Sequence, residues 1–173
     1  FNGAFKDVSA TKLGQVAASA ALEQSRLDPS AIDHVIVGNV QQTSADAAYI
    51  ARHIGLTSGL PVPTPALGIN RLCGSGFQAA ITGAQLIQLD ETQAVLCVGT
   101  ESMTQAPHVV RGLRDGLKLG AQPPLEDSLF SGLIDSYCNS PMGVTAERVG
   151  EHYAITRAQA DAFALLSQQR WLE

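Results

Sequence analysis

Among the 173 residues of this chain, Cys73 has the setting best suited to covalent chemistry. It stands between a run that reads as a strand, Ala66 to Asn70, and a pattern that reads as a helix from about Phe77 to Leu89. Such a junction presents a side chain at the carboxyl end of a sheet, where α/β proteins place their chemistry. The helix that follows directs its free N–H groups and partial positive charge toward the sulfur, which favours an anionic nucleophile. Gly74 and Gly76 remove side chains beside it, so a substrate carbonyl can approach, and the backbone N–H of Cys73 is a donor for a developing oxyanion. The residues alone leave a second reading open, a small core cysteine, the usual fate of a free thiol. Two further likenesses are weaker. With serine the same geometry is the nucleophile elbow of hydrolases, but His152 alone is a poor partner for one. Gly74-Ser75-Gly76 also suggests a phosphate-binding turn, but no G-x-G-x-x-G follows.

The other reactive side chains point to less. Cys97 lies mid-strand between Leu96 and Val98 and is expected in the core, and Cys138 falls in an irregular segment. Three cysteines at wide, unpatterned spacing do not make a disulfide framework or a zinc site, and suit a reducing compartment. His34, His53, His108 and His152 have no cysteine or carboxylate at a diagnostic spacing. Glu101 and Glu147 are expected to be hydrogen-bonded or solvated structural carboxylates.

The elements that must position Cys73 follow from periodicity. Thr11 to Ser25 reads as a helix with Leu13, Val16, Ala17, Ala20 and Ala21 on one face. His34 to Val40 reads as a buried strand. Ser44 is placed to cap a helix running through His53, with Ala47, Ala48, Ala51 and Ile54 inward. Pro61, Pro63 and Pro65 make a rigid loop. Ala94 to Gly99 is another buried strand. Strands alternating with helices predict an α/β sheet with helices on its faces. From Ser102 to Asn139 periodicity fades, as in a long excursion. Thr156 and Gln159 form a capping box for a final helix, with Ala162, Leu165, Leu166 and Gln169 on one face. After Cys73, Gly76, Ala79, Ala80, Gly83 and Ala84 form a small-residue stripe that suggests a helix buried between layers.

Composition is globular, with 45% hydrophobic and 16% charged residues. A net charge of −5 without a Lys/Arg run argues against nucleic-acid binding. No apolar run approaches the length of a membrane span, and no signal or transit peptide is visible.

Residues Asn70-Arg71-Leu72-Cys73-Gly74-Ser75-Gly76-Phe77-Gln78 resemble the nucleophile motif of the thiolase family, in particular its 3-ketoacyl-CoA thiolases. Other segments agree in order. Gly38-Asn39-Val40 is similar to a family strand and Ala51-Arg52-His53 to the helix after it. Gly99-Thr100-Glu101-Ser102-Met103-Thr104-Gln105-Ala106-Pro107 resembles a G-x-E-x-M-S-x-x-P run, with Thr104 in place of Ser. Met142-Gly143-Val144-Thr145-Ala146-Glu147 resembles an M-x-x-T-A-E run, and Ser167-Gln168-Gln169-Arg170 an S-Q-x-R helix. Pro141 stands where short-chain thiolases often carry a His, which favours the broader 3-ketoacyl type.

The resemblance implies a layered α/β fold with helices packed on a mixed sheet. It implies a core domain over residues 1–101, with the first strand missing, and the start of a loop or tetramerisation domain over 102–173. It implies acyl transfer between 3-ketoacyl-CoA and CoA, as in fatty acid β-oxidation, with Cys73 as acyl-thioester nucleophile. Backbone support would come from Cys73, Gly74 and Gly76, with Met142 and Gly143 near the substrate. No metal or resident cofactor is implied; CoA is a co-substrate. A homodimer or homotetramer is expected, and the apolar Leu113, Leu117, Leu119, Leu125, Leu129 and Phe130 fit a covered loop. The location implied is the mitochondrial matrix if eukaryotic and the cytoplasm if bacterial. Family members carry a His in G-H-P, an Asn in N-E-A-F and a second Cys beyond the stretch that corresponds to this chain. Residues 1–173 by themselves are therefore expected to be inactive; the alternative is a catalytically incomplete thiolase-like domain serving assembly or binding.

Overall fold

Three short apolar runs pair in parallel to make the sheet on which the first part of the chain is built. In the computed structural model, which describes residues 1–173, β1 (His34–Gly38) is central, flanked by β2 (Ala66–Ile69) and β3 (Val95–Gly99) in the order β2-β1-β3. Gly38 stands opposite Ile69 on one side and Gly99 on the other. Where a mixed sheet was expected, these three strands are all parallel, because each connection crosses over through a helix. Antiparallel pairs occur in two-residue ladders outside it: β4 (His108–Val109) with β5 (Glu126–Asp127), and β6 (Ile134–Asp135) with β7 (Ser140–Pro141).

The connection from β1 runs to one edge and the next runs back across β1 to the other edge. Right-handed crossovers therefore put the two helices on opposite faces. On one face α1 (Ala10–Ser25) and α2 (Ile50–Thr57) share an apolar cluster with Val35, Val37, Leu96 and Val98. On the other lies α3 (Ser75–Gln88), whose Gly83 sits against Val95 and Cys97. The order reverses at the carboxyl ends of β1 and β3, the place where wound sheets bind their ligands.

Two glycines let α3 reach that place. A Cβ on Gly38 would stand 2.4 Å from the Ser75 carbonyl oxygen, and one on Gly99 would stand 3.3 Å from Gly76 Cα. The amino end of α3 thus rests directly on the ends of two strands. At the opposite edge, Asp33 Oδ2 accepts the N–H groups of Gln93 at 2.7 Å and Ala94 at 3.1 Å, pinning the start of β3 to that of β1.

Several expected faces differ. α1 buries Ala10, Gly14, Ala18 and Leu22, and leaves Val16 54% exposed. A Cβ on Gly14 would lie 2.5 Å from Ile54 Cδ1, so the helix turns Gly14 to its neighbour, a face that a pattern of apolar residues does not select. Ser44 does not cap a helix: its hydroxyl bonds Asp46, a 3₁₀ turn follows at Ala47–Tyr49, and α2 begins at Ile50. Ala48 is exposed and Ile50 takes its inward place. Of the small-residue stripe on α3, Ala79 and Gly83 are buried together with Ser75, whereas Gly76, Ala80 and Ala84 are open, because the sheet covers one side of the helix.

The chain forms two compact units, residues 1–127 and 128–173. Within the first, Asn2 N–H bonds Thr104 Oγ1, Gln105 Nε2 bonds the Lys6 carbonyl, and Arg111 pairs with Glu126. The second holds α4 (Ser128–Gly132), the β6–β7 ladder, α5 (Met142–His152) and α6 (Arg157–Leu172). The Thr156–Gln159 capping box is present. No residue of α5 or α6 is buried, including Leu165 and Leu166 of the face expected to pack. No helix is long and apolar enough to cross a membrane.

Gly38→Ala is expected to destabilise the full-length protein by roughly 1–3 kcal/mol in urea denaturation, since backbone on both sides must shift. Gly150→Ala, where a helical Cβ meets nothing within 4 Å, should not lower it. A second expectation concerns acid. The Gln93 and Ala94 N–H groups hold the Asp33 carboxyl below its ordinary 3.8. A lowered folded value adds stability above the ordinary value and loses it as pH falls through the folded one. The deficit of Asp33→Asn relative to the parent should therefore be complete above about pH 5 and close progressively below 3.8, read from thermal melts across pH.

Candidate active site

The turn between β2 and α3 is built mostly from its own hydrogen bonds. Asn70 Oδ1 accepts the Leu72 N–H at 2.9 Å, an Asx turn. The Gly74 and Ser75 N–H groups bond the carbonyls of Arg71 and Leu72 at 3.1 and 3.0 Å. Ser75 Oγ accepts from Arg71 N–H at 2.9 Å and donates to the Leu72 carbonyl at 2.6 Å. None of these bonds uses the Cys73 N–H. Leu72 takes a left-handed φ of 49°, a conformation leucine adopts only when its surroundings impose it. Helix hydrogen bonding then begins, with Gln78 N–H on the Gly74 carbonyl at 2.9 Å.

Cys73 is therefore exposed, two residues ahead of α3, at the carboxyl edge of the sheet. Exposed Leu72 and Phe77 flank it. The core-cysteine reading does not hold for it. Gly76 approaches Gly99, so one reason for its missing side chain is helix–strand contact. Gly74 sits over the Arg71 carbonyl.

The expectation of a buried Cys97 is corrected. It lies on the α3 side of β3, where the helix covers the sheet incompletely, and it is partly open. Partial burial still pushes its thiol up, and its Sγ donates to the Ala79 carbonyl at 3.4 Å. Cys138 belongs to the second unit, with Sγ 4.0 Å from the Asp135 carbonyl. Met142 and Gly143 form the first turn of α5 in that same unit, both exposed, with the Met142 carbonyl accepting from Thr145 Oγ1 at 2.7 Å.

The histidines are engaged elsewhere. His34 opens β1 at the opposite edge, His53 stacks on Tyr49 and lies 3.5 Å from Asp46, and His152 packs edge-on to Tyr153. Glu101 has the structural role expected of it. Its carboxylate accepts Asn39 Nδ2 and Val40 N–H at 2.9 Å and Gln41 N–H at 3.1 Å, gathering the loop after β1 onto the end of β3. Beside that loop is a cavity of about 170 Å³ that reaches Asn70. Among the described residues no cluster of His, Cys, Asp or Glu forms a metal site.

Sequence reasoning gave Asn70 and Ser75 no part of their own. Both carried a signal in retrospect, Asn two residues before a residue that needs an imposed turn, and Ser at the first position of a helix.

A parallel sheet wound by helices on both faces, with an exposed cysteine on the strand-to-helix turn at its carboxyl edge, defines an α/β protein with a solvent-accessible thiol at that edge. The chain belongs to the thiolase family: residues 1–173 match the model described as "Thiolase, N-terminal domain". It is 52% identical to the mitochondrial 3-ketoacyl-CoA thiolase of Homo sapiens, and 50% to that of Bos taurus, over 99% of its length. It is 38% identical to an acetyl-CoA acetyltransferase of Pseudomonas aeruginosa, over 98% of its length. The crystal structure of human mitochondrial 3-ketoacyl-CoA thiolase in complex with CoA superposes with a TM-score of 0.93 at 51% identity. That match covers 99% of this chain and 43% of the human one, and the other relatives named here are likewise matched over 43% of their length.

The two thiols should differ in rate. Iodoacetamide at neutral pH is expected to modify Cys73 before Cys97 in the native full-length protein, because partial burial lowers the thiolate fraction at Cys97. Peptide mapping by mass spectrometry reads the order, and faster labelling of Cys97 would contradict it.

Proposed function

We propose that this chain supplies the nucleophile to an acyl transfer between 3-ketoacyl-CoA and CoA. The observation that carries the reading is the exposed Cys73 on a self-braced turn before α3, in a chain half identical to 3-ketoacyl-CoA thiolases. The Cys73 thiolate attacks the 3-keto carbon. The C2–C3 bond then breaks, acetyl-CoA leaves as its enolate and takes up a proton, and the acyl group stays on sulfur. The thiolate of CoA attacks that thioester and releases a shortened acyl-CoA. The reverse sequence is a Claisen condensation. The backbone at Cys73, Gly74 and Gly76 supports the oxyanion.

The base for sulfur and the acid for the enolate are not among the residues assigned here, and the chain spans 43% of the length of the relatives named above. Residues 102–173 begin a loop domain. The protein works as at least a homodimer. Phe77, Leu119, Tyr137 and Trp171 are exposed apolar side chains, of the kind that contacts between subunits cover. Its location follows its relatives, the mitochondrial matrix in a eukaryote and the cytoplasm in a bacterium.

The full-length protein incubated with a 3-ketoacyl-CoA and no free CoA should acquire one acyl adduct on Cys73, seen by mass spectrometry. Cys73→Ser should reduce thiolysis by about 10³-fold or more, since a serine hydroxyl is a far weaker nucleophile at neutral pH. Thiolysis by Cys73→Ser at the parental rate would refute the proposal.

A further inference from the structure

We propose that Asn70, Ser75 and Glu101 are positioning residues that set the Cys73 thiol through one hydrogen-bond relay, a role that rests on the acyl-transfer reading above. The relay starts at the end of β3, where Glu101 Oε2 accepts the Val40 N–H at 2.9 Å while Oε1 holds Asn39 and Gln41. The Val40 carbonyl accepts from Asn70 Nδ2 at 3.4 Å. The other end of the same amide, Oδ1, accepts the Leu72 N–H at 2.9 Å. From the opposite side Ser75, only 5% exposed, donates its hydroxyl to the Leu72 carbonyl and accepts the Arg71 N–H.

Both backbone polar groups of Leu72 are therefore held by side chains, at a residue whose φ of 49° leucine does not sustain unaided. Cys73 is the next residue, and its Cα takes its place from that dihedral. The three carbonyl-edge loops, after β1, β2 and β3, meet in this relay, so the sulfur is referenced to two strands as well as to its own. Attack on a carbonyl tolerates little misplacement; a displacement near 1 Å costs about 100-fold in rate.

The test is single-turnover acylation of Cys73 in the full-length protein by a 3-ketoacyl-CoA without free CoA. Asn70 is exposed, so Asn70→Ala is not expected to prevent folding. It should slow acylation by about 10–100-fold, with KM changed less than about threefold. Asn70→Asp keeps the acceptor for the Leu72 N–H but loses the donor to the Val40 carbonyl, so its rate should lie between those of Asn70→Ala and the parent, which a general loosening of the fold would not produce. Glu101→Gln should show the same KM-against-kcat split. Acylation by Asn70→Ala within about twofold of the parent overturns the relay, as does Asn70→Asp being as slow as Asn70→Ala. A parent protein that forms no acyl adduct on Cys73 overturns both the relay and the acyl-transfer reading. An adduct in the parent with unaffected variants overturns the relay alone.

Discussion

The seating of the α3 amino end on the ends of two strands is the constraint that the rest of the site depends on. Gly38 and Gly99 are opposed across β1 and β3, and the backbone of Ser75 and Gly76 occupies the space their side chains would need. With the helix start placed there, the preceding five residues have little room. They must leave β2, reverse over the carboxyl edge and enter α3, which forces the tight turn and the left-handed Leu72. Cys73 is then lifted clear of the sheet and into solvent. Its exposure is a consequence of the backbone packing of α3 on the sheet and not of contacts made by its own side chain.

The same seating separates two cysteines of one unit. Cys97 is on a strand, facing a helix that passes over it, and is partly desolvated and bonded to a carbonyl. Cys73 is on the connection, ahead of a helix that points its amino end at the same edge. Strand interior and strand-to-helix turn are different electrostatic places, and α/β proteins put reactive groups in the second. The carboxylate of Glu101 fits this division. It is spent on three donors of the neighbouring loop, which suits a group that holds backbone and not one that moves protons.

Membership in the thiolase family agrees with this layout, since a chain with about half its residues identical keeps the same turn on the same sheet edge. The second unit contributes α5 and α6, none of whose residues is buried. Helices with Phe163 and Trp171 at the surface are of the kind that pack against further structure.

Much was legible from local pattern. The strands, the helix after Cys73, the proline loop and the Thr156–Gln159 cap all depend on neighbours within four residues, which periodicity and capping chemistry report directly. The position of Cys73 at a strand-to-helix junction belongs to that set, as does the ordered series of family motifs. What only the tertiary structure decided involves partners far apart in the chain. The inward face of α1 follows from Gly14 meeting Ile54, and the openness of Cys97 from how far α3 covers β3. The grip of Glu101 on Asn39, Val40 and Gln41 spans about sixty residues. Residue type sets what a side chain is able to bond; the crossing of β1 between its two neighbours determines which groups come within reach.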